Sequence, residues 1–317
     1  MRKNLQFLGV DIGGTTVKFG LCNESNDLLL TGCLPTFPEQ GAVRLAARIR
    51  SEIDRVVQSH GALELQIAGV GVGAPGPLDH HTGVIFEAPN LPGWKNVYLA
   101  QLMQEQFDVP VTIENDANAA AFGESVAGAG KDARSVVMLT LGTGVGGGII
   151  LNDVLLRGDH SSGAELGHMI IEPQGRLCGC GQHGCMEQYV SATALVRDYH
   201  ERLANSGAVG GPPIEHRTAE AIASSDNPLA VEAWDAFCRY LAIGCINLTR
   251  IVDPTCIILG GGVANAGDAL LLPTRKHFQT LNWHLTKHQP RIIRATLGEH
   301  AGVVGSAALA RIALAQS

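Results

Sequence analysis

Two short apolar strands joined by a glycine turn occur twice in this chain, once in each half, and no other feature constrains its fold as strongly. In the first copy, Phe7–Val10 leads through Asp11-Ile12-Gly13-Gly14-Thr15-Thr16 into Val17–Cys22. In the second, Val136–Leu141 leads through Gly142-Thr143-Gly144 and the glycines behind it into Gly148–Leu151. Strand, tight turn and strand make a hairpin. A hairpin echoed at the scale of a domain points to two related lobes rather than a short-period solenoid.

The segments around the hairpins alternate in type. A further strand near Leu28–Thr31 makes the opening a β-meander. Ala42–Ser59 then places Val43, Ala46, Ala47, Ile49, Ile53 and Val56 at helical spacing, and Ile67–Val72 follows as a buried strand. The pattern predicts a second helix over Val97–Phe107, stopped by Asp108-Val109-Pro110. A short strand, Val111–Ile113, then runs into Glu114-Asn115-Asp116. We place the end of the first lobe there, over residues 1–116, joined by a terminal helix within 302–317; a larger second lobe covers 117–301. That lobe opens on the alanine-rich helix Asn118–Ala127. It continues through a polar stretch, Asn205–Arg217, read as an exposed linker, and a long helix, Pro228–Val252, ended by Asp253-Pro254. A strand at Cys256–Leu259 precedes Gly260-Gly261-Gly262. Alternating strands and helices give the α/β class.

Composition narrows the function. At 317 residues, 45% hydrophobic and 17% charged, the chain suits a globular protein with about two cores. A net charge of −7 offers no positive field for a nucleic-acid backbone or an anionic membrane, so neither is an expected partner. No apolar run approaches the ~18 residues of a membrane span. The short apolar piece after Arg2 and Lys3 runs into Asp11 and makes a poor signal peptide, so the expected location is the cytoplasm. The thirty-nine glycines cluster beside apolar runs, as in turns where backbone must approach a ligand, which favours an enzyme or small-molecule binder.

The glycine loops admit two readings each. Asp11 to Thr16 offers a carboxylate, inward-turning amides and two hydroxyls, the makings of a phosphate hairpin, and equally an ordinary β-turn. The second loop formally contains G-x-G-x-x-G, but Ile149–Leu151 reads as a strand where a dinucleotide fold needs a helix. No G-x-x-x-x-G-K-[ST] occurs, which excludes a P-loop. A bound nucleotide would therefore lie between hairpins, with Gly260, Gly261 and Gly262 able to pack against adenine or ribose, or to serve only as a strand-to-helix corner. Asp116, after a strand and before a helix, is either a general base or the N-cap of that helix.

Three of the eight cysteines, Cys178, Cys180 and Cys185, fall in one glycine-rich loop, whereas the other five sit singly in apolar segments. In a reducing compartment such clustering reads as a zinc site, and a disulfide with a spare thiol is the alternative. His168 and His183 are both candidates for a fourth ligand.

The ordered set DIGGTT, ENDANAA, LGTGVGGG, GAELGH, CGCGQHGCMEQ and ILGGGV covers nearly the whole chain. It resembles the ROK family of bacterial sugar kinases and repressors, within the actin-like ATPase and hexokinase clan, and in it the glucokinase branch. The resemblance implies a two-lobed α/β hexokinase-type fold with a zinc-binding loop. It implies that Asp11, Gly13, Gly14, Thr15 and Thr16, together with Gly142, Thr143 and Gly144, contact phosphates, and that Gly260 to Gly262 contact adenosine. Thr16 departs from the many relatives with lysine or asparagine at its position, and Lys18 lies two residues on. Asp116 becomes the base that takes a sugar hydroxyl proton. The sugar's other contacts fall to Asn90, Asn115, Glu165, His168 and Glu187, with Gly76 letting backbone approach. Glu114 and Glu124 remain as solvated or capping residues. His168 becomes the fourth zinc ligand, and the zinc is structural.

The resemblance further implies ATP and Mg2+ as cofactors and a homodimer or higher homo-oligomer as the assembly. The expected reaction is ATP-dependent phosphorylation of the glucose 6-hydroxyl. Another hexose such as N-acetylmannosamine, allose or fructose is the first alternative, although Glu187-Gln188-Tyr189 looks more like the glucokinase branch. A sugar-binding regulator is the second, and the stretch before Asp11 is too short for the helix-turn-helix such repressors carry.

Overall fold

The computed structural model describes residues 5–59, 66–88, 90–207, 218–285 and 288–316. Residues 208–217 of the expected linker lie outside these. In chain order the elements are β1 (Gln6–Ile12), β2 (Thr16–Asn23), β3 (Leu28–Pro35), α1 (Ala42–Ser59), β4 (Ile67–Ala74), β5 (Leu78–Asp79), β6 (Val84–Glu87), β7 (Lys95–Tyr98), α2 (Leu99–Phe107), β8 (Val111–Asn115) and α3 (Asp116–Val126). They continue with β9 (Val136–Leu141), β10 (Val145–Leu151), β11 (Val154–Leu155), α4 (Glu187–Val190), α5 (Ala192–Asn205), α6 (Ala219–Ala223), α7 (Pro228–Val252), β12 (Cys256–Gly260), α8 (Asp268–Leu281), β13 (Arg291–Arg294) and α9 (Ala301–Gln316).

These elements form two compact units, and none of the divisions between them falls at Asp116. The first unit holds Met1–Asp132, Val154–Ala164 and Thr296–Ser317; the second holds Ala133–Asp153 and Glu165–Ala295. The α3 helix stays in the first unit because it packs on α9. Side chains at Gly123 and Gly305 would strike the Ala301 and Ala119 carbonyl oxygens, so the two helices meet backbone to backbone. Glu124 strengthens the joint. It is wholly buried, and its carboxylate accepts the backbone N–H groups of Ala129, Thr296 and Leu297 at 2.7–3.1 Å, which corrects its reading as a solvated or capping residue.

The first unit is built on a five-stranded sheet of order β3-β2-β1-β4-β8, antiparallel through β3, β2 and β1 and parallel through β1, β4 and β8. Alternation along a strand sends successive side chains to opposite faces. Leu8, Val10, Ile12, Val70 and Val72 on one face join Leu45, Ile49 and Ile53 of α1 and Leu99 and Met103 of α2 in the core. On the other face lie Phe7, Gly9, Asp11 and, one strand over, Gly71 and Gly73. Side chains at Gly9 and Gly71 would collide with the Val303 and Ser306 carbonyl oxygens, so α9 beds directly on this face. Residues 301–310 of α9 are all buried, which explains why the helix is apolar all round. Val97 and Tyr98, expected to be helical, are drawn into β7 instead by pairing with Ile85 and Val84 of β6.

Within the second unit the strand order is β10-β9-β12-β13, with β9 and β10 antiparallel and β12 parallel to both β9 and β13. The α7 helix packs against α8, and Trp234 stacks on Phe237 with ring centroids 5.2 Å apart. Among the described residues no helix is long and apolar enough to cross a membrane.

Candidate active site

In the first unit the parallel strands β1, β4 and β8 end side by side, and Asp11, Gly73 and Glu114 occupy one row across them. This is the edge at which open α/β sheets assemble sites. The turn after Asp11 is held from within: the Gly13 N–H donates to the Thr16 carbonyl at 3.0 Å, and the buried Thr36 hydroxyl donates to the Gly13 carbonyl at 2.6 Å. The Thr15 and Thr16 side chains are left exposed. Asn90, also exposed, lies on a loop whose backbone closes over Gly14.

The start of α3 resolves one alternative. Asn115 is the N-cap, its Oδ1 accepting the N–H groups of Ala117 at 2.9 Å and Asn118 at 3.1 Å. Its amide nitrogen is turned toward Gly76. Asp116 is the first residue of the helix, with Oδ1 near the Ala117 N–H at 2.8 Å and Oδ2 uncommitted to the cap. Burial holds its carboxyl above the usual carboxylate range, against the pull of the Ala117 amide. Burial also lifts the Asp11 carboxyl to about 6, helped by the negative charge of Asp116 and opposed by Lys18. Lys18 is cross-strand from Asp11 and pairs with Glu299 at 3.1 Å. Two buried carboxylates, one adding to the cost of the other's charge, make a site that welcomes a cation or a proton.

Glu114 was also expected to be solvated or capping. It is buried, ion-paired to Arg157 at 2.6 Å.

In the second unit the β9–β10 turn is anchored from below. The Ala192 N–H donates to the Gly142 carbonyl at 2.7 Å, the Thr193 hydroxyl donates to the Thr143 carbonyl at 2.9 Å, and the Val145 N–H donates to Glu187 Oε2 at 3.0 Å. A Cβ at Gly144 would meet the Glu187 carboxylate, so a side chain there would push that carboxylate off the turn. Beside the turn opens a pocket of about 620 Å³ whose walls include Thr143, Ala219, Ala223, Gly262, Val263 and Ala266. Gly260 ends β12, and Gly261, at φ 80°, turns the chain tightly against Leu141. The pocket wall from α6, which also brings Glu220, was not foreseen. Its sequence signal is the Thr218 cap, whose Oγ1 accepts the Ala221 N–H at 3.2 Å.

The cysteine loop brings four side chains to one point. Ligand atoms of His168, Cys178, Cys180 and Cys185 all lie within 4.8 Å of one another. The Cys180 and Cys185 sulfurs are 3.6 Å apart and Cys178 Sγ is 3.7 Å from His168 Nδ1. Tetrahedral zinc with Zn–S bonds of about 2.3 Å needs ligand atoms roughly 3.5–4 Å apart, so the donor set fits such an ion. His183 turns away, its Nδ1 3.0 Å from the Gly175 carbonyl oxygen. The Cys180 thiol is drawn down to about 7, foremost by the Gln182 backbone amide. Glu165 is exposed and immediately precedes the short turn Leu166–His168, while Glu187 begins α4 two residues after Cys185.

The sequence profile of the ROK family matches residues 7–313. A glucokinase of Streptomyces coelicolor is 38% identical over 319 residues, covering 96% of this chain and 97% of its own. The crystal structure of a ROK family glucokinase from Streptomyces griseus, in complex with glucose and AMPPNP, is 35% identical with a TM-score of 0.79, covering 97% of this chain and 99% of that one. A ROK hexokinase from Thermus thermophilus is 33% identical with a TM-score of 0.82, covering 98% of this chain and all (100%) of that one. With its hexokinase-like α/β fold and both glycine hairpins in place, the chain belongs to the ROK family, in which it is more similar to these sugar kinases than to a xylose repressor of Bacillus spizizenii, 30% identical over 77% of this chain.

Proposed function

We propose that this protein is a glucokinase, transferring the γ-phosphoryl group of ATP to the 6-hydroxyl of glucose. The observation that carries the reading is Asp116: a partly buried carboxylate at the carboxyl edge of parallel strands, relieved of the main capping duty by Asn115 and held ready for a proton by its surroundings. In the reaction Asp116 accepts the proton of the 6-hydroxyl as that oxygen bonds to the γ-phosphorus. The bond from phosphorus to the β–γ bridging oxygen breaks, and ADP leaves with the electron pair. Mg2+ carried by the nucleotide would be held in part by Asp11 and would supply neutralisation of phosphate charge. The amides and hydroxyls of Gly13 to Thr16 and of Gly142 to Gly144 orient the phosphates, which is most of what phosphoryl transfer asks of a protein.

The sugar's remaining hydroxyls are assigned to Asn90, Asn115, Glu165, His168 and Glu187, with Gly76 giving access to backbone. Acceptor-rich contacts of this kind reject an epimer that leaves a buried group unpaired, at about 1–3 kcal/mol each. The small-residue pocket beside Gly262 supports a nucleoside rather than polyphosphate as donor, because a polyphosphate has nothing to place against an apolar wall. The four-ligand cluster is assigned structural zinc, which leaves no position open for a reacting water. A coupled kinase assay over a panel of hexoses, with ATP and polyphosphate as donors, tests the whole reading. Glucose with ATP should exceed the other pairs in kcat/KM by roughly tenfold or more. Preference for N-acetylmannosamine or allose would replace glucose as the substrate, and no turnover with any hexose would remove the kinase assignment.

A further inference from the structure

Glu114 and Arg157 meet in the first unit from 43 residues apart, with Arg157 Nε donating to Glu114 Oε2 at 2.6 Å. The Glu114 side chain is only 6% exposed. Its second oxygen, Oε1, accepts the Asn115 N–H and the Asn118 carboxamide N–H, each at 3.0 Å. One carboxylate thus grips the end of β8, the first turn of α3 and the returning segment Val154–Ala164. That segment has a second anchor, the Ser161 hydroxyl 2.6 Å from His80 Nδ1. Asp116 lies between the two residues, Asn115 and Asn118, that Glu114 holds.

A buried ion pair is weak evidence for stability, because an apolar pair of the same shape often does as well, whereas it does fix geometry. Proton transfer is sensitive to that geometry, and a displacement of about 1 Å at the reacting groups can cost a hundredfold in rate. We propose that Glu114 and Arg157 are positioning residues for the transfer step: the pair sets the strand-to-helix corner from which Asp116 reaches the sugar hydroxyl, without touching substrate. The inference rests on the kinase reading above.

Glu114→Gln, Arg157→Met and the conservative Arg157→Lys test it with glucose and ATP. Glu114→Gln and Arg157→Met should lower kcat at least tenfold, while KM for glucose, and glucose Kd measured by calorimetry without nucleotide, change less than threefold. Arg157→Lys should recover at least half of the logarithmic loss in kcat. A lower Tm with kcat of the folded enzyme unchanged would overturn the positioning role, and so would an equal loss of glucose affinity. Should Arg157→Met fail to fold, the other two variants decide. Wild-type protein inert toward every hexose would overturn the kinase reading and this inference with it; active wild type with full kcat in Glu114→Gln would overturn this inference alone.

Discussion

Glu187 reaches from the first residue of α4 to the β9–β10 turn, where its Oε2 accepts the Val145 amide at 3.0 Å. The residue that follows the cysteine loop is therefore fastened to a hairpin assigned to phosphate. A hydrogen bond to a charged group contributes about 1.5–3 kcal/mol. Glu187→Ala should accordingly raise KM for ATP about tenfold or more, and calorimetric titration with AMPPNP should show the same loss. Unchanged nucleotide affinity with weakened glucose binding would confine Glu187 to the sugar.

Asp116→Asn keeps the shape of the side chain and removes its basicity. Glucose affinity should stay within several-fold while kcat falls about a hundredfold or more, the scale of a lost general base. Full turnover in this variant would transfer the role to another group, such as Asp11, whose charge interacts with that of Asp116.

Metal analysis of protein purified without chelators should find one zinc per chain, since four ligand atoms converge on one point. Cys180→Ser should lose the ion and lower Tm, because metal binding energy at a structural site is folding energy. His183→Ala should keep it, given the turn of that ring toward Gly175.

Asp11 has a signed consequence for stability. Its carboxyl titrates at about 6 in the folded protein and at 3.8 as the reference value, so the folded state binds the proton more tightly. Stability therefore rises as pH falls through 6 toward 4, and above pH 6 the full penalty is present, on the order of 2–3 kcal/mol. Without nucleotide or magnesium, Asp11→Asn should melt higher than wild type at about pH 7.5, with the gain gone near about pH 4. A variant no more stable than wild type above pH 6 would show that the folded site already compensates this charge.

Local patterns were legible wherever one periodicity ruled. The helices over Ala42–Ser59 and Pro228–Val252 and the strand Val136–Leu141 follow from apolar spacing and adjacent breakers, and the structure has them at those limits. The second helix was misjudged by two residues because Val97 and Tyr98 suit either state, and only their pairing with β6 selects strand. The boundary at Asp116 failed for a similar reason. Nothing in the spacing of Asn118–Ala127 says that Gly123 will meet a helix some 180 residues further on, at Gly305.

By itself the sequence determined which chemistry is carried and where along the chain: glycine turns with hydroxyls, an Asn-Asp pair ending a strand, three cysteines and a histidine at metal spacing. These are local, since hairpins, caps and clustered ligands need only neighbours in the chain. Tertiary structure alone decided the state of the acidic residues. Glu114 and Glu124 sit beside helix α3 like any solvated carboxylates, yet one is closed in by Arg157 and the other by the amides of Thr296 and Leu297. It also brought His168, the ligand the family resemblance implies, to the three cysteines from ten residues or more away and turned His183 aside. Burial and partnership depend on groups tens to hundreds of residues away, and a charge's cost is set by what surrounds it rather than by what precedes it in the chain.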